Sequence, residues 1–172
     1  MSLLQRGGPS TAASPHPQPM QIADILTPER IACDVDVSSK KRALEKISEL
    51  IAAADPSLTS GEVFDCLISR ERLGSTCIGS GVAIPHGRVT HGERTLAAFM
   101  KMREGIDFEA IDRQPVDLVF AMMVPEHSTD EHLEILAQLA DVFSDRAFRE
   151  RLRQCRDGEE AFALITTAPV GT

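Results

Sequence analysis

Apolar residues recur with two different periods along the chain after residue 19, which predicts strands and helices in turn. Residues 31–37 alternate apolar and polar side chains, as a half-buried strand does. Ser38 or Ser39 then caps a helix that runs to about Ala54, because the apolar positions after it recur at helical spacing.

A second helix is predicted from a capping box, Thr59 to Glu62, through about Leu73, where Gly74 stops it. Arg70 lies in its last turn, four residues before that glycine. The arginine either offsets the negative end of the helix dipole or reaches an anion held by the glycine-rich loop that follows. Both interpretations stay open at this point.

The second half of the chain predicts a strand at Leu96–Met102 and a central strand at Val116–Val124, the most apolar run. A second capping box, Ser128 to Glu131, opens a further helix. Two more helices are expected at 145–154 and 157–166. The apolar residues expected to be largely buried in the helix after the second box are Leu133, Leu136, Ala137, Ala140, Val142 and Phe143.

The order of these elements predicts an α/β fold in one compact domain. Helices and strands are interleaved along a single chain, so the sheet should be covered by helices on both faces. We expect residues 1–19, rich in Pro, Gly and Ser, to form a disordered leader. The domain then spans 20–166, and 167–172 is a frayed tail.

Composition excludes several classes of function. With 172 residues, 42% hydrophobic and 26% charged, the chain is large enough for one ordinary core. A net charge of −8 disfavours nucleic-acid binding and anionic membranes, and no apolar run is long enough to cross a bilayer. Four scattered cysteines without a Cys-x-x-Cys pair, and no signal peptide, predict reduced thiols in a cytoplasmic protein.

The stretch from Gly74 to Arg88 carries the candidate chemistry. Val82–Ile84 predicts a short buried strand that Pro85 ends, so that His86 leaves the sheet at its carboxyl end. An imidazole in that position, with several hydroxyls and an arginine nearby, is a candidate nucleophile. A core or turn histidine is the alternative. The polar neighbours are Ser75, Thr76, Ser80 and Arg88.

Other motifs are missing or incomplete. The glycine-rich loop is neither a Walker loop nor a dinucleotide fingerprint, and Ser80 lacks the spacing of a nucleophile elbow. Cys77 is predicted to fill space rather than to react. His127 and His132 are five residues apart and so face different ways on a helix, and no metal site is predicted.

His132 allows two interpretations. It lies one turn into the helix that follows the central strand, where ligands gather over the carboxyl ends of strands in α/β folds. On sequence alone, an exposed position on the helix surface is the stronger alternative.

Two segments, Arg70–Thr76 and Gly79–Gly87, resemble the active-site signature of phosphotransferase-system enzyme IIA domains of the mannitol/fructose type. The order of residues in these segments is most similar to that of the nitrogen-regulatory branch, and the resemblance extends over about 20–166. Two positions depart from it, Cys77 where glycine is usual and Ser80 where asparagine is usual. Neither change removes a reacting group.

The resemblance implies a mixed central sheet and a role for each site residue. His86 would accept a phosphoryl group from a phosphohistidine on an HPr-like carrier protein, and His132 and Arg70 would stabilise that group. Loop groups around Ser75 and Gly87 would bind the phosphate. No metal, nucleotide or other cofactor is implied, because the phosphoryl donor is another protein.

The resemblance leaves the output of the domain open. It fits a phosphocarrier whose phosphorylation state regulates target proteins, as in nitrogen or potassium regulation. It also fits a IIA component that feeds fructose- or mannitol-type uptake through a separate IIB component. A binding module that is never phosphorylated is the third alternative.

Overall fold

The most apolar strand, Val116–Pro125 (β6), lies in the middle of a mixed sheet of six strands among the described residues. In this computed structural model the described residues are 20–90, 92–128 and 131–168. β6 pairs antiparallel with Leu96–Ile106 (β5) and parallel with Val82–Ala83 (β3) and His86–Val89 (β4). The predicted central strand is therefore confirmed.

The remaining strands complete the sheet at its two edges. Ile31–Val35 (β1) pairs parallel with β5, and Cys77–Gly79 (β2) pairs antiparallel with β3. The helices are Ile22–Ile25 (α1), Lys40–Ala52 (α2), Ser60–Leu73 (α3), Glu131–Ser144 (α4), Arg146–Arg153 (α5) and Gly158–Thr167 (α6), with a 3₁₀ turn at Pro28–Arg30.

Helices cover both faces of the sheet, as predicted. Side chains alternate between the faces along each strand, so Phe120 belongs to the apolar cluster that includes α4, α5 and α6, while its neighbours Val119 and Ala121 belong to the cluster that includes α2 and α3. The two resulting apolar clusters make up the core, and β6 is buried between them.

The predicted helix starts are confirmed by side-chain caps. Each capping oxygen accepts a hydrogen bond from a backbone amide two or three residues later, which satisfies a donor that the helix leaves free. The capping residues are Ser39 (3.2 Å to Arg42 N), Thr59 (3.1 Å to Glu62 N), Asp145 (3.0 Å to Ala147 N) and Asp157 (2.9 Å to Glu160 N).

The buried stripe of α4 differs from the prediction. Leu133 is 54% exposed and Ala137 is exposed, whereas His132 is buried at 8% exposure. The reason is the phase of the helix. His132, Ile135 and Leu139 recur at helical spacing and share the face that packs on the sheet, which leaves Leu133 and Ala137 outside.

Some predictions fall outside the described residues. Thr129 and Asp130, in the middle of the predicted capping box before α4, are among them, as are the leader and residues 169–172. The domain limits stay a prediction. No helix in the described part of the chain is long and apolar enough to span a membrane.

Candidate functional site

His86 lies within the sheet, and the expectation that it leaves the sheet is wrong. β3 and β4 follow β6 in one continuous register, with Val82 opposite Leu118 and His86 opposite Met122. The two short strands are therefore one strand with an interruption at residues 84–85.

Pro85 causes the interruption without ending the strand. In this parallel register, residue 85 is the one that would donate its amide to the Phe120 carbonyl, and proline has no amide hydrogen. Its carbonyl still accepts a hydrogen bond from the Met122 amide at 2.9 Å. Only one ladder bond is lost, so pairing resumes at His86.

The interruption places a backbone acceptor beside the His86 ring. The Ile84 amide donates to the Thr76 carbonyl at 2.9 Å, just before β2 begins. The Ile84 carbonyl lies 3.0 Å from Nδ1 of His86. Because a carbonyl can only accept, Nδ1 carries the proton and Nε2 keeps its lone pair.

The surroundings keep this imidazole neutral. Partial burial lowers the pKa of His86 below its ordinary value of 6.5, and the positive charges of Arg70 and His132 lower it further. The hydrogen bond to Ile84 and the charge of Glu71 act in the opposite direction but do not reverse the shift. A neutral ring with a free Nε2 lone pair is a nucleophile near pH 7.

Arg70 reaches the site because α3 packs directly on β4. A Cβ at Gly87 would lie 3.2 Å from both Cβ and the carbonyl oxygen of Cys66, tighter than an ordinary contact, so the glycine favours this close approach of the helix. Arg70 lies one turn further along α3 and donates from Nη1 to the Gly74 carbonyl at 2.9 Å. It therefore both caps the helix end and contributes a positive charge beside His86.

His132 meets Arg88, which the sequence analysis placed near His86 without giving it a role. Nη2 of Arg88 lies 3.5 Å from Nε2 of His132, and Nη1 donates to the Glu126 carbonyl at 3.3 Å. Arg88 follows His86 by two residues and so projects from the same face of the strand. The spacing of two residues between His86 and Arg88 is the sequence signal that indicates a shared site.

The structure gives Ser75 and Gly87 contacts within the protein. The Ser75 hydroxyl accepts a hydrogen bond from the Cys77 amide at 3.1 Å, which shapes the loop, and Gly87 provides the close contact with α3. Their predicted role in binding phosphate stays a prediction. Burial raises the pKa of the Cys77 thiol, so it is an unreactive, space-filling group at neutral pH.

A buried charged pair next to the site was also missed. The Glu71 side chain is 2% exposed, lies 3.0 Å from Lys40 Nζ through Oε2, and accepts a hydrogen bond from the Thr76 hydroxyl through Oε1. Lys40 also lies over the Phe108 ring at 5.1 Å.

The sequence model for the family described as "Phosphoenolpyruvate-dependent sugar phosphotransferase system, EIIA 2" matches residues 24–168. The chain belongs to this EIIA 2 family.

Several relatives with high sequence identity are nitrogen regulatory proteins. The nitrogen regulatory protein of Pseudomonas aeruginosa is 38% identical over 152 residues, which cover 88% of this chain and 99% of the relative. The crystal structure of nitrogen regulatory protein IIA-Ntr from Neisseria meningitidis is 43% identical, with a TM-score of 0.80 over 84% of this chain and 99% of that one.

A more distant EIIA structure supports the fold alone. IIA mannitol from Escherichia coli is 23% identical, with a TM-score of 0.67 over 81% of this chain and 98% of that one. The mixed sheet with helices on both faces is therefore common to the sugar-named and nitrogen-named members compared with this chain.

The geometry of the site suits an anionic electrophile. One neutral imidazole offers a lone pair, while Arg70, Arg88 and His132 supply positive charge or hydrogen-bond donors around it. Within residues 20–90, 92–128 and 131–168, no three His, Cys, Asp or Glu side chains converge as metal ligands would.

Proposed function

We propose that this protein is a phosphocarrier in which Nε2 of His86 accepts a phosphoryl group from a phosphohistidine on an HPr-like carrier. The 3.0 Å contact between Nδ1 and the Ile84 carbonyl carries this proposal, because it fixes which nitrogen has the free electron pair. Membership of the EIIA 2 family supports the same reaction class.

The transfer is an in-line displacement at phosphorus. The Nε2 lone pair of His86 forms the new P–N bond, and the electron pair of the breaking P–N bond returns to the donor imidazole. His86 keeps its Nδ1 proton, held by the Ile84 carbonyl, so the phosphorylated ring carries a positive charge beside the phosphoryl oxygens. Protein catalysis of such a step consists mostly of positioning and charge neutralisation.

The neighbouring cations supply that neutralisation in this proposal. Arg70 carries a permanent positive charge next to His86. Nε2 of His132 lies 3.5 Å from Nη2 of Arg88 in the unphosphorylated protein. His132 and Arg88 therefore lie side by side, where both can approach an oxygen of a phosphoryl group on His86.

Phosphorylation would serve a regulatory output. The phosphoryl group adds about two negative charges at a site beside two arginines and a histidine, which changes what that surface can dock with. Several relatives of high identity are named nitrogen regulatory proteins. We therefore favour regulation of target proteins over delivery of phosphate to a sugar-specific IIB component.

The test is a phosphotransfer assay with a phosphorylated HPr-like carrier, read by intact mass and by acid lability of the product. We expect one phosphoryl group on the wild type and none on His86→Ala. His127→Ala, which removes an exposed histidine, is the matched control and should behave as the wild type does. Absence of labelling on the wild type, or labelling that survives in His86→Ala, would refute the proposal.

The regulatory output has its own test. Phosphorylated protein is mixed with a purified fructose-type IIB domain, and transfer is followed by mass. Retention of the phosphoryl group on this protein supports the regulatory role. Rapid transfer to the IIB domain would favour sugar uptake instead.

A further inference from the structure

A continuous series of polar contacts runs from α2 to the His86 ring. It begins at Lys40, the first residue of α2, whose Nζ lies 3.0 Å from Oε2 of Glu71. The other carboxylate oxygen, Oε1, accepts a hydrogen bond from the Thr76 hydroxyl. Glu71 and Thr76 are both buried, so water does not compete for these contacts.

The same series continues through the backbone. The Thr76 carbonyl accepts from the Ile84 amide at 2.9 Å, and the Ile84 carbonyl accepts from Nδ1 of His86 at 3.0 Å. The peptide of Thr76 therefore determines where Ile84 lies. Ile84 in turn holds the proton that decides the His86 tautomer.

We propose that Glu71, held by Lys40, is a positioning residue that fixes the tautomer and orientation of His86 through Thr76 and Ile84. The proposal rests on the phosphocarrier function above only for its kinetic consequence. Its structural content, the tautomer of His86, holds whether or not the protein is phosphorylated.

The cost of burying Glu71 supports a positioning role. A carboxylate with a 2% exposed side chain loses most of its hydration, and an apolar residue of similar volume often gives equal or greater stability. What an apolar residue cannot do is bind the Thr76 hydroxyl and the Lys40 ammonium together. The burial of the Glu71 carboxylate is explained if Glu71 is needed to hold Thr76 in position.

The placement of Glu71 in α3 supports the same conclusion. It lies on the buried stripe of that helix, with Val63 and Leu67 at intervals of four residues. Arg70, the neighbouring residue, contributes charge beside His86. One helical turn therefore both supplies a cation to the site and anchors the loop that orients the ring.

The first measurement is the tautomer of His86, read from the nitrogen resonances of the imidazole in ¹⁵N-labelled protein. We expect the wild type to show Nδ1 protonated throughout the neutral range. Glu71→Gln keeps an oxygen for Thr76 but loses the Lys40 ion pair, and Thr76→Val removes the hydroxyl. Both should show a mixture with Nε2 protonated, while Thr76→Ser should restore the wild-type spectrum.

The second measurement is the rate of phosphoryl transfer from the HPr-like carrier to the same variants. Glu71→Gln and Thr76→Val should be slower by at least tenfold, approaching the roughly 10²-fold loss that a displacement of about an ångström causes. Thr76→Ser should recover the rate. Thermal unfolding of each variant separates this effect from a loss of fold.

Asp112→Asn is the matched control. The Asp112 carboxylate accepts from the Ser80 amide at 2.9 Å, so it anchors the same loop at its other end, away from the contacts that reach Ile84. This variant should lose stability but keep the tautomer and the rate.

If Glu71→Gln and Thr76→Val fold and keep the wild-type tautomer of His86, the proposal is overturned. It is also overturned if Asp112→Asn changes the tautomer and the transfer rate as much as they do. Should Glu71→Gln not fold, the comparison of Thr76→Val with Thr76→Ser decides the question. A wild type that is never phosphorylated but shows the expected tautomers would refute the phosphocarrier function and leave the positioning role standing.

Discussion

The hairpin at residues 76–84 is anchored by charged side chains at both of its ends, and the two anchors differ in what they hold. At the tip, the Ser80 carbonyl accepts from Arg153 Nη2 at 2.8 Å, and Arg153 forms a bidentate pair with Asp117 at 2.8 and 2.9 Å. At the base, Glu71 holds Thr76, next to the peptide that binds Ile84.

The difference lies in the backbone. The tip contains three consecutive residues with positive φ, Gly79 at 93°, Ser80 at 57° and Gly81 at 83°, and such a turn needs fixing for its own sake. Thr76 and Ile84, at the base, have no positive φ angle. The hydrogen bond from Thr76 to Glu71 is followed by those that join Thr76 to Ile84 and Ile84 to His86. Similar ion pairs therefore stabilise the fold at one end and orient the candidate nucleophile at the other.

The base of the hairpin leads to His86, and we expect the largest effect on the rate of phosphoryl transfer from the side chains beside that histidine. His132→Ala and Arg70→Gln should each slow phosphoryl transfer by about 10²-fold, the usual loss for one positioned electrostatic donor. Rapid mixing with the phosphorylated carrier measures this. Single variants that transfer at the wild-type rate would return these residues to a structural role.

A smaller effect, on stability rather than rate, is expected at the tip. In Gly81→Ala the new Cβ would lie 2.7 Å from Arg153 Nη2, at a residue with a φ of 83°. We expect a loss of about 1–3 kcal/mol in the free energy of unfolding, measured by denaturant titration, with an unchanged transfer rate.

Gly61→Ala is the control for that comparison. Gly61 lies in the first turn of α3 with only an ordinary contact near its Cβ position, 3.9 Å from the Thr59 hydroxyl. The change should be neutral or slightly stabilising. If Gly81→Ala slowed phosphoryl transfer as strongly as Glu71→Gln or Thr76→Val does, the two ends of the hairpin would not differ in function.

The smallest effect is a shift in pH dependence. Because burial and nearby positive charge lower the pKa of His86, the neutral, accepting form persists as the pH falls through 6.5, and acceptance should decline only below that value. His132→Ala removes one of those charges, so its decline should begin at a higher pH. An NMR titration of the His86 ring, compared between the two proteins, gives the direction of the shift.

The elements of the fold were predictable because their signals are local. Caps such as Ser39 and Thr59 precede helices by rule, and the long apolar run of β6 is typical of a strand buried on both faces. His86 could be singled out by its place in a short signature of glycine, proline and histidine.

The site departs from the sequence prediction where residues distant in the sequence meet and where strand pairing overrides a local signal. The sequence predicts that Pro85 ends a strand, but in a parallel ladder it removes a single donor and the strand continues. The contact between Arg88 and His132 joins residues 44 apart, which no local pattern reveals. The burial of Glu71 was accessible in principle, from its spacing with Val63 and Leu67.

Identifying the nitrogen that carries phosphate is the most direct test, because that nitrogen follows from the contact between Nδ1 of His86 and the Ile84 carbonyl. The protein is phosphorylated by an HPr-like carrier, and ³¹P and ¹⁵N spectra identify the bonded atom. The account predicts phosphate on Nε2 of His86, with Nδ1 still directed at Ile84. Phosphate on Nδ1 of His86, or on any other residue, would contradict it.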